Sequence, residues 1–341
     1  MCITFGAGGS FTKGNGTTTF DGTGTHTWTD NAAVKQDLGK VVIDGSAETL
    51  QLATDVAATD ITIGSDDIFN VTAGNYTITV SGNWTNNNIF TAQQGTVTLT
   101  ATSTGKTINP GNSSFYNLTF NGSGGGWSFT TTNATATNNL TITAGTLTAP
   151  SGNLSIGSSF SNSGTFTHNS GTVTMTATAS GKTITPGSSS FNNLVFNGSG
   201  GAWSFVGATA TTTSDFTITN GSVTLPTSTL SVGGNFINTG TFTHNSGTVR
   251  SYATTTGKLI TPGSSSFYNL TIAGSGGGFT FATNTDPTVA NDFTISAGTV
   301  TSTGGTLNIG GSFINTGTFN HNNGTVRFNG SSEGKFITPG S

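Results

Sequence analysis

The sequence predicts an all-β protein whose strands wind into a β-solenoid (a β-helix), and three observations support this prediction. A segment of about 76 residues recurs along the chain. Short runs within it alternate apolar residues with Thr, Ser or Asn, and no helical pattern longer than about one turn interrupts them. Alternation with a period of two is typical of a half-buried strand, and recurrence at a fixed length is typical of repeat architectures.

Four lysines mark the spacing of the repeat. Each lies in a G-K-x-I-x-P-G segment, and successive copies are separated by about 76 residues. These lysines are Lys106, Lys182, Lys258 and Lys335. Apolar landmarks from Leu194 to Leu270 lie on average about 19 residues apart, a turn length that suits a solenoid of short stacked strands. We therefore expect about four turns in each repeat.

The alternative architecture is a string of small β-sandwich domains, one per repeat. Linkers usually separate such domains, but no Pro-rich or charged seam separates these copies. A sandwich the length of one repeat would also be small. We therefore expect residues 1–81 to form a divergent N-terminal capping repeat and residues 82–341 to form regular repeats of the same solenoid. The approximate units are 90–165, 166–241, 242–318 and a partial unit, 319–341.

Composition excludes several classes of protein. Charged residues make up 6% of the chain, the net charge is −4, and nine Lys and Arg are too few for a surface that follows nucleic-acid phosphates. No run of eighteen apolar residues predicts a membrane span. The first residues lack the pattern of a signal peptide. The Thr-rich and Gly-rich composition nevertheless favours an extracellular or cell-surface location.

Two sets of repeated residues invite a functional interpretation. Three histidines occupy one repeat position: His168, His244 and His321. Equivalent positions four turns apart would lie about 19 Å from one another, whereas a zinc ligand lies about 2 Å from its ion, so we interpret the histidines as turn residues. The four lysines fail as a catalytic set for the same reason. They are a weaker candidate for a sparse positive line that binds acidic glycans.

Large aromatic residues follow the G-S-G-G segment in consecutive repeats: Trp127, Trp203 and Phe279. Exposed aromatic rings can stack on sugars, but a large side chain that fills the space beside four small residues is the favoured interpretation.

An acidic cluster in D-I-T-I-G-S-D-D is a weak calcium candidate, with Asp60, Asp66 and Asp67 as ligands. It lacks the spacing of known calcium loops. We expect no other metal site and no cofactor.

An enzyme is not expected. Acidic residues in the regular repeats are few and are not repeated: Asp215, Asp286, Asp292 and Glu333. Glycoside cleavage needs two carboxylates held close together, and no nucleophile elbow of the G-x-S-x-G type accompanies the many serines.

Ice binding is a further alternative. It requires the same outward Thr pair on every turn, and here the pairs move between positions.

The tandem segments NTGTFTHNSGTV and GKTITPGSSSFYNL resemble those of bacterial extracellular β-strand-repeat proteins, a group that includes haemagglutinin-like adhesins. The resemblance covers about residues 82–341. It implies a β-solenoid in a long secreted surface protein that serves in adhesion or as fibre or coat material. The chain departs from that group in having no recognisable export or anchoring module.

The charge distribution favours self-association. Residues 1–80 hold nine acids and three bases, a net charge of −6, whereas residues 81–341 hold four acids and six bases, a net charge of +2. Opposite charges favour head-to-tail docking, and a contact that does not close builds a filament. We therefore expect a structural subunit of an extracellular filament or coat that stacks end to end through open solenoid edges. The alternatives are a segment of a glycan-binding adhesin and an ice-binding solenoid.

Overall fold

The computed structural model describes residues 2–283 and 285–340. Throughout these residues the fold is all-β, no helix is present, and the paired strands run parallel and stack turn upon turn as a β-solenoid. These residues form no string of β-sandwiches. The chain divides into two compact units, Met1–Gly171 and Thr172–Ser341.

The strands of the first unit are β1 (Ile3–Phe5), β2 (Thr17–Phe20), β3 (Thr23–Asp30), β4 (Lys40–Ile43), β5 (Ser46–Leu52), β6 (Val56–Ala58), β7 (Asp60–Ile63), β8 (Ile68–Asn70), β9 (Thr77–Val80), β10 (Trp84–Asn86), β11 (Ile89–Thr91), β12 (Thr96–Leu99), β13 (Lys106–Asn109), β14 (Asn117–Phe129), β15 (Ala134–Ala136), β16 (Leu140–Thr148), β17 (Asn153–Ile156), β18 (Phe160–Asn162) and β19 (Thr165–Thr167).

Three stacks of parallel strands build the first unit. The first stack runs β1, β3, β5, β8 and β11. The second runs β2, β4, β7, β10, β13 and the end of β14, and the third runs β6, β9, β12 and the start of β14. Stacked residues keep the same orientation, so that Ile78, Val97, Leu118 and Leu140 point inward on successive turns.

The strands of the second unit are β20 (Thr172–Met175), β21 (Lys182–Thr185), β22 (Asn193–Phe205), β23 (Thr209–Thr212), β24 (Phe216–Thr224), β25 (Thr229–Val232), β26 (Phe236–Asn238), β27 (Thr241–Thr243), β28 (Thr248–Ser251), β29 (Lys258–Thr261), β30 (Asn269–Phe281), β31 (Thr288–Val289), β32 (Phe293–Thr301), β33 (Thr306–Ile309), β34 (Phe313–Asn315), β35 (Thr318–Asn320), β36 (Thr325–Phe328) and β37 (Ile337–Thr338).

Three stacks also build the second unit, and the long strands turn a corner and contribute to two of them. Stack 1 contains β20, the starts of β22 and β24, β26, β29, the ends of β30 and β32, and β35. Stack 2 contains β21, the ends of β22 and β24, and β27, and further along β31, β33 and β36. Stack 3 contains β23, β25, β28, the starts of β30 and β32, β34 and β37.

The turns of stack 1 are longer than the sequence suggested. Successive inward residues of stack 1 are Val173, Leu194, Phe216, Phe236 and Ile260, and every interval between them exceeds the expected spacing of about 19 residues. The interval from Phe236 to Ile260 is the longest of the four.

One repeat therefore contains fewer turns than expected. From the start of β22 to the start of β30 the chain passes through eleven stack positions, counting the bridge at Phe267 as one. With three positions to a turn, this is three and two-thirds turns, slightly below the predicted value of about four. The difference arises because loops at the corners lengthen individual turns, and no residue pattern within a strand reports the length of a loop.

A narrow apolar interior lies inside the stacks. Along most strands buried and half-exposed residues alternate, as in β20, β25 and β33. Aromatic rings fill much of the interior, and the rings of Phe216 and Phe236 stack with centroids 5.4 Å apart. Burial of each large apolar side chain contributes about 1.5–3 kcal/mol, which makes this interior the main stabilising element.

Glycines permit the sharp corner in the long strands. In β22 the segment Gly198–Gly201 forms the corner, and a Cβ on Gly198 or Gly201 would overlap the carbonyl oxygen of Ala177 on the preceding turn. A Cβ on Gly201 would also lie 2.5 Å from Cη2 of Trp203. The backbone therefore approaches both the preceding turn and the indole ring more closely than any side chain would allow.

We predict that Gly201→Ala destabilises the protein by about 1–3 kcal/mol, because an added methyl group in a close-packed site forces strain on its neighbours. Gly304→Ala is the matched control, since no atom lies within 4 Å of the position its Cβ would take. Urea unfolding of the two variants measures the difference. Equal stability of Gly201→Ala and the control would contradict the role assigned to the corner.

Candidate functional site

The three repeated histidines begin tight turns. In the segment that starts at His244, the carbonyl oxygen of His244 accepts a hydrogen bond from the backbone N–H of Gly247 at 3.0 Å. The two central residues, Asn245 and Ser246, have φ values of 51° and 56°. Positive φ at both central positions defines a type I′ turn. His168 and His321 begin equivalent turns. Their carbonyl oxygens accept the backbone N–H of Gly171 at 2.9 Å and that of Gly324 at 2.8 Å.

The side chains of two of the histidines bond to their own turns. The ring Nδ1 of His244 accepts the backbone N–H of Ser246 at 3.0 Å, and Nδ1 of His168 accepts that of Ser170 at 3.0 Å. Within the second unit, His244 follows β27 in stack 2, whereas His321 follows β35 in stack 1. The structure does not bring these two histidines together.

The repeated lysines of the second unit lie on three different stacks. Lys182 belongs to stack 2, Lys258 belongs to stack 1, and Lys335 precedes β37 of stack 3. A repeat of three and two-thirds turns displaces each equivalent residue by one stack. Among the described residues of this unit, the three lysines therefore do not form a line along one face.

The aromatic residues after G-S-G-G lie in the interior. Trp127, Trp203 and Phe279 are each 1% exposed. The Trp203 ring packs edge-on against Phe196 with centroids 5.2 Å apart, and its indole lies against the glycines of the corner. These rings offer no exposed face to a sugar.

Three of the scattered acids bind the backbone of the following turn. Oδ1 of Asp215 accepts the N–H of Asn235, Oδ1 of Asp286 accepts that of Thr306, and Oδ1 of Asp292 accepts that of Ser312, each at 2.7 Å. Each bond joins residues 20 positions apart, which is one turn. Glu333 is exposed. The carboxylates are thus part of the solenoid, and their arrangement does not resemble an acid–base pair.

We predict that Asp292→Ala destabilises the protein by about 1.5–3 kcal/mol, because the Ser312 N–H loses a charged acceptor. Asp292→Asn keeps an acceptor oxygen and is expected to cost less. The chain already uses an amide in this way, since Asn139 occupies the equivalent position and accepts the N–H of Ser159 at 3.1 Å. Thermal unfolding of both variants tests the prediction, and a larger loss in the Asn variant would refute it.

One tyrosine has a perturbed pKa. Desolvation by burial raises the pKa of Tyr252 above 10.0, and the Coulombic effect of Arg250 opposes this shift. The Tyr252 hydroxyl donates a hydrogen bond of 3.1 Å to the carbonyl oxygen of Thr212, and the guanidinium of Arg250 lies 5.4 Å from the ring centroid. The neutral phenol therefore stabilises the second unit.

The pH dependence of stability should report this tyrosine. Above pH 10.0 the unfolded chain loses the phenol proton while the folded chain retains it, so the contribution to stability falls from that pH up to the folded pKa. We predict that wild type is more stable than Tyr252→Phe at neutral pH and that this advantage shrinks in strong alkali. Urea unfolding at a series of pH values measures the difference, and a constant difference would contradict the prediction.

Several ionisable residues lie near one another at an acidic corner of the first unit. We define it by Asp44, Glu48, Asp66 and Asp67, which lie on two successive turns. The backbone N–H of Glu48 donates to Oδ1 of Asp67 at 2.9 Å, and the backbone N–H of Ala47 donates to Oδ2 of Asp66 at 3.2 Å. Oε1 of Glu48 lies 2.7 Å from Nδ1 of His26, in a contact whose angles do not make a hydrogen bond.

The structure separates the three residues that the sequence suggested as calcium ligands. Asp60 begins β7, whereas Asp66 and Asp67 follow the end of that strand, about 10 Å further along at about 3.3 Å per residue. Asp60 instead accepts the N–H of Asn83 at 2.7 Å. Sequence reasoning missed Glu48 and Asp44. The signal that could have found them is that Glu48 precedes Asp67 by the length of one turn.

The surface depressions of the described residues are shallow. One of about 430 Å³ is lined by Lys13, Lys40 and Thr59 together with glycines, and one of about 470 Å³ is lined by Tyr268 and Lys335 with mainly small residues. Among the described residues, no three His, Cys, Asp or Glu side chains are arranged to hold a metal ion. Nor does any helix there reach the length and apolarity of a membrane span.

The fold thus places the chain in the architectural class of parallel β-solenoids. Comparisons with protein-family models, curated proteins and solved structures find no match to this sequence.

Proposed function

We propose that the chain is a structural element of an extracellular filament or surface coat, and not an enzyme. The observation that carries this proposal is how the solenoid uses its side chains. Inward residues form the apolar interior, and many Asn, Asp and Thr side chains bond the backbone of the adjacent turn. Side chains used in this way hold the turns together and are not available for catalysis.

The buried asparagines illustrate this use of polar groups. Nδ2 of Asn238 donates to the carbonyl oxygen of Pro262 at 2.7 Å, and Nδ2 of Asn86 donates to that of Pro110 at 2.8 Å. Both asparagines are 1% exposed. A buried amide that satisfies a turn carbonyl contributes about 1 kcal/mol and also sets the spacing of the turns.

Assembly by stacking would use the edge formed by β36 and β37. Phe328 and Ile337 occupy inward-facing positions but are 43% and 57% exposed. One repeat earlier, the equivalent residues Ser251 and Ile260 are each 1% exposed, because β30 covers them. Parallel strands with unpaired backbone groups are a template for a further strand. In the filament that we propose, a second copy of the chain supplies this layer.

The opposite net charges of residues 1–80 and 81–341 favour a head-to-tail arrangement of such copies. A head-to-tail contact is heterologous, and when it does not close it produces a filament. Head-to-tail assembly of this kind is also what we would expect of fibre or coat material, the role that the resemblance to extracellular repeat proteins implies.

Filament formation is tested with the purified chain. We predict concentration-dependent assembly, seen as fibres by electron microscopy and as growing species in sedimentation. Phe328→Asp combined with Ile337→Asp should abolish assembly, because charges would have to be buried between stacked turns. Leu259→Asp is the control, since Leu259 is exposed and faces outward on β29. A wild-type chain that stays monomeric at high concentration, or a double variant that assembles like the control, would refute the proposal.

Ice binding is the second candidate, and a threonine ladder favours it. Thr79, Thr98, Thr119 and Thr141 are stacked in register on four successive turns. The neighbouring outward column begins with two threonines but continues with Asn117. A two-column threonine array therefore extends over only two of these turns. Thermal hysteresis of the purified chain is the measurement that would favour ice binding over the structural role.

An adhesin that binds surface glycans is less well supported. The two tryptophans that would have formed sugar platforms are buried, and the lysines of the second unit are spread over three stacks. Glycan-array binding by the purified chain is the observation that would favour adhesion over the structural role.

A further inference from the structure

A carboxylate oxygen in the acidic corner lacks any compensating partner. Asp67 is fully buried, and its Oδ2 has no hydrogen-bond partner among the described residues. Its other oxygen, Oδ1, accepts the backbone N–H of Glu48. The two ion pairs of the described residues, Lys13–Asp37 and His26–Glu48, leave Asp67 without an opposite charge. Burying an isolated carboxylate is costly, so something must neutralise it.

Two further oxygen atoms lie beside the Asp67 carboxylate. Around the position that a Cβ would take on Gly64, Oδ2 of Asp67 is the nearest atom, the carbonyl oxygen of Ile43 lies at 2.8 Å and Oδ1 of Asp44 lies at 3.2 Å. The absence of a side chain on Gly64 leaves these three oxygens close to one another. The Ile43 carbonyl oxygen accepts the N–H of Gly64 at 2.7 Å, and a carbonyl oxygen carries a second lone pair. They come from two successive turns, because Ile43 pairs with Ile63 across β4 and β7.

The surroundings of this group are acidic and open on one side. Asp44 and Asp66 are exposed, so water and ions reach the corner from solvent. Glu48 lies on the other side, but its Oε1 contacts His26 and its Oε2 accepts the N–H of Gly22 at 3.2 Å. Lys40, the first residue of β4, lies at the opposite end of that strand from Asp44. The corner therefore combines several negative charges, and no lysine or arginine of the described chain pairs with them.

We propose that this corner binds a hard divalent cation of the calcium type, with Asp67, Asp44 and the carbonyl oxygen of Ile43 as protein ligands. Calcium takes six to eight oxygen ligands at about 2.3–2.6 Å in flexible geometry and accepts backbone carbonyls and water among them. Magnesium demands near-octahedral geometry and is less suited to a carbonyl and two carboxylates on separate turns. The bound ion would join two turns of the solenoid and neutralise the buried carboxylate.

This site differs from the one that the sequence suggested. Asp60 is excluded by its position at the other end of β7 and by its bond to Asn83. Asp44 and Ile43 replace it, one turn before Asp67. Only two of these ligands are acidic side chains and the third is a backbone carbonyl oxygen, so the site does not require three clustered His, Cys, Asp or Glu side chains, of which the described residues have none arranged to hold a metal ion.

The test is a titration of the full chain with CaCl₂ after treatment with a chelator, followed by calorimetry and by thermal unfolding. We expect saturable binding of one ion with a dissociation constant of about 10⁻⁴–10⁻³ M, the range of extracellular calcium modules, and a melting temperature that rises with calcium. Magnesium at the same concentrations should have a smaller effect.

Substitutions distinguish the corner from other acids. Asp67→Asn and Asp44→Asn should each weaken calcium binding at least about tenfold, because each replaces a charged ligand with a neutral one. Asp60→Asn, outside the corner, should bind calcium like wild type. In chelator, Asp67→Asn should be at least as stable as wild type, since the amide removes an uncompensated buried charge. This last measurement also shows that the variant folds.

Three outcomes would overturn the proposal. The first is no saturable binding at about 10 mM CaCl₂, roughly ten times the upper end of the expected range. The second is unchanged affinity in Asp67→Asn. The third is a wild-type melting temperature that is the same in chelator and in calcium.

Discussion

In-register stacking of parallel strands governs every other feature of this protein. A single turn of about 20 residues cannot bury its apolar side chains or satisfy its backbone hydrogen bonds, so each turn is stable only against its neighbours. The inward residues must therefore stay aligned from one turn to the next. Leu230, Val249 and Leu270 keep this alignment in stack 3, although the two segments that separate them differ in length. The corners absorb the difference.

The corners are also where the sequence has least freedom. Gly198 and Gly201 allow the backbone of β22 to pass close to the Ala177 carbonyl oxygen, and the space they leave is filled by the indole of Trp203. A feature that looks like an exposed binding motif in the sequence is a packing device in the structure. The His-Asn-Ser-Gly segment, which suggested a metal site in the sequence, likewise has a structural role, because its two central residues with positive φ close a turn.

A repeat of three and two-thirds turns has a consequence for what the surface can present. In the second unit each repeated outward residue moves to the next stack, as Lys182, Lys258 and Lys335 do. A single face therefore does not carry the same residue from each copy, whereas all three faces carry similar residues.

The class of fold and the identity of most interior residues could be read from the amino-acid sequence, whereas the contacts between turns could not. Alternation with a period of two assigns Val173 and Leu194 to the interior, because side chains on a strand point to opposite sides in turn. The number of turns per repeat depends on the length of each corner, which no local pattern reports. Asp60 and Asp67 are close in sequence yet lie at opposite ends of β7, while Asp44, a full turn earlier, places its carboxylate near that of Asp67 beside Gly64. Proximity in a solenoid is set by the length of a turn, so residues about 20 positions apart meet while near neighbours in the chain point to different corners.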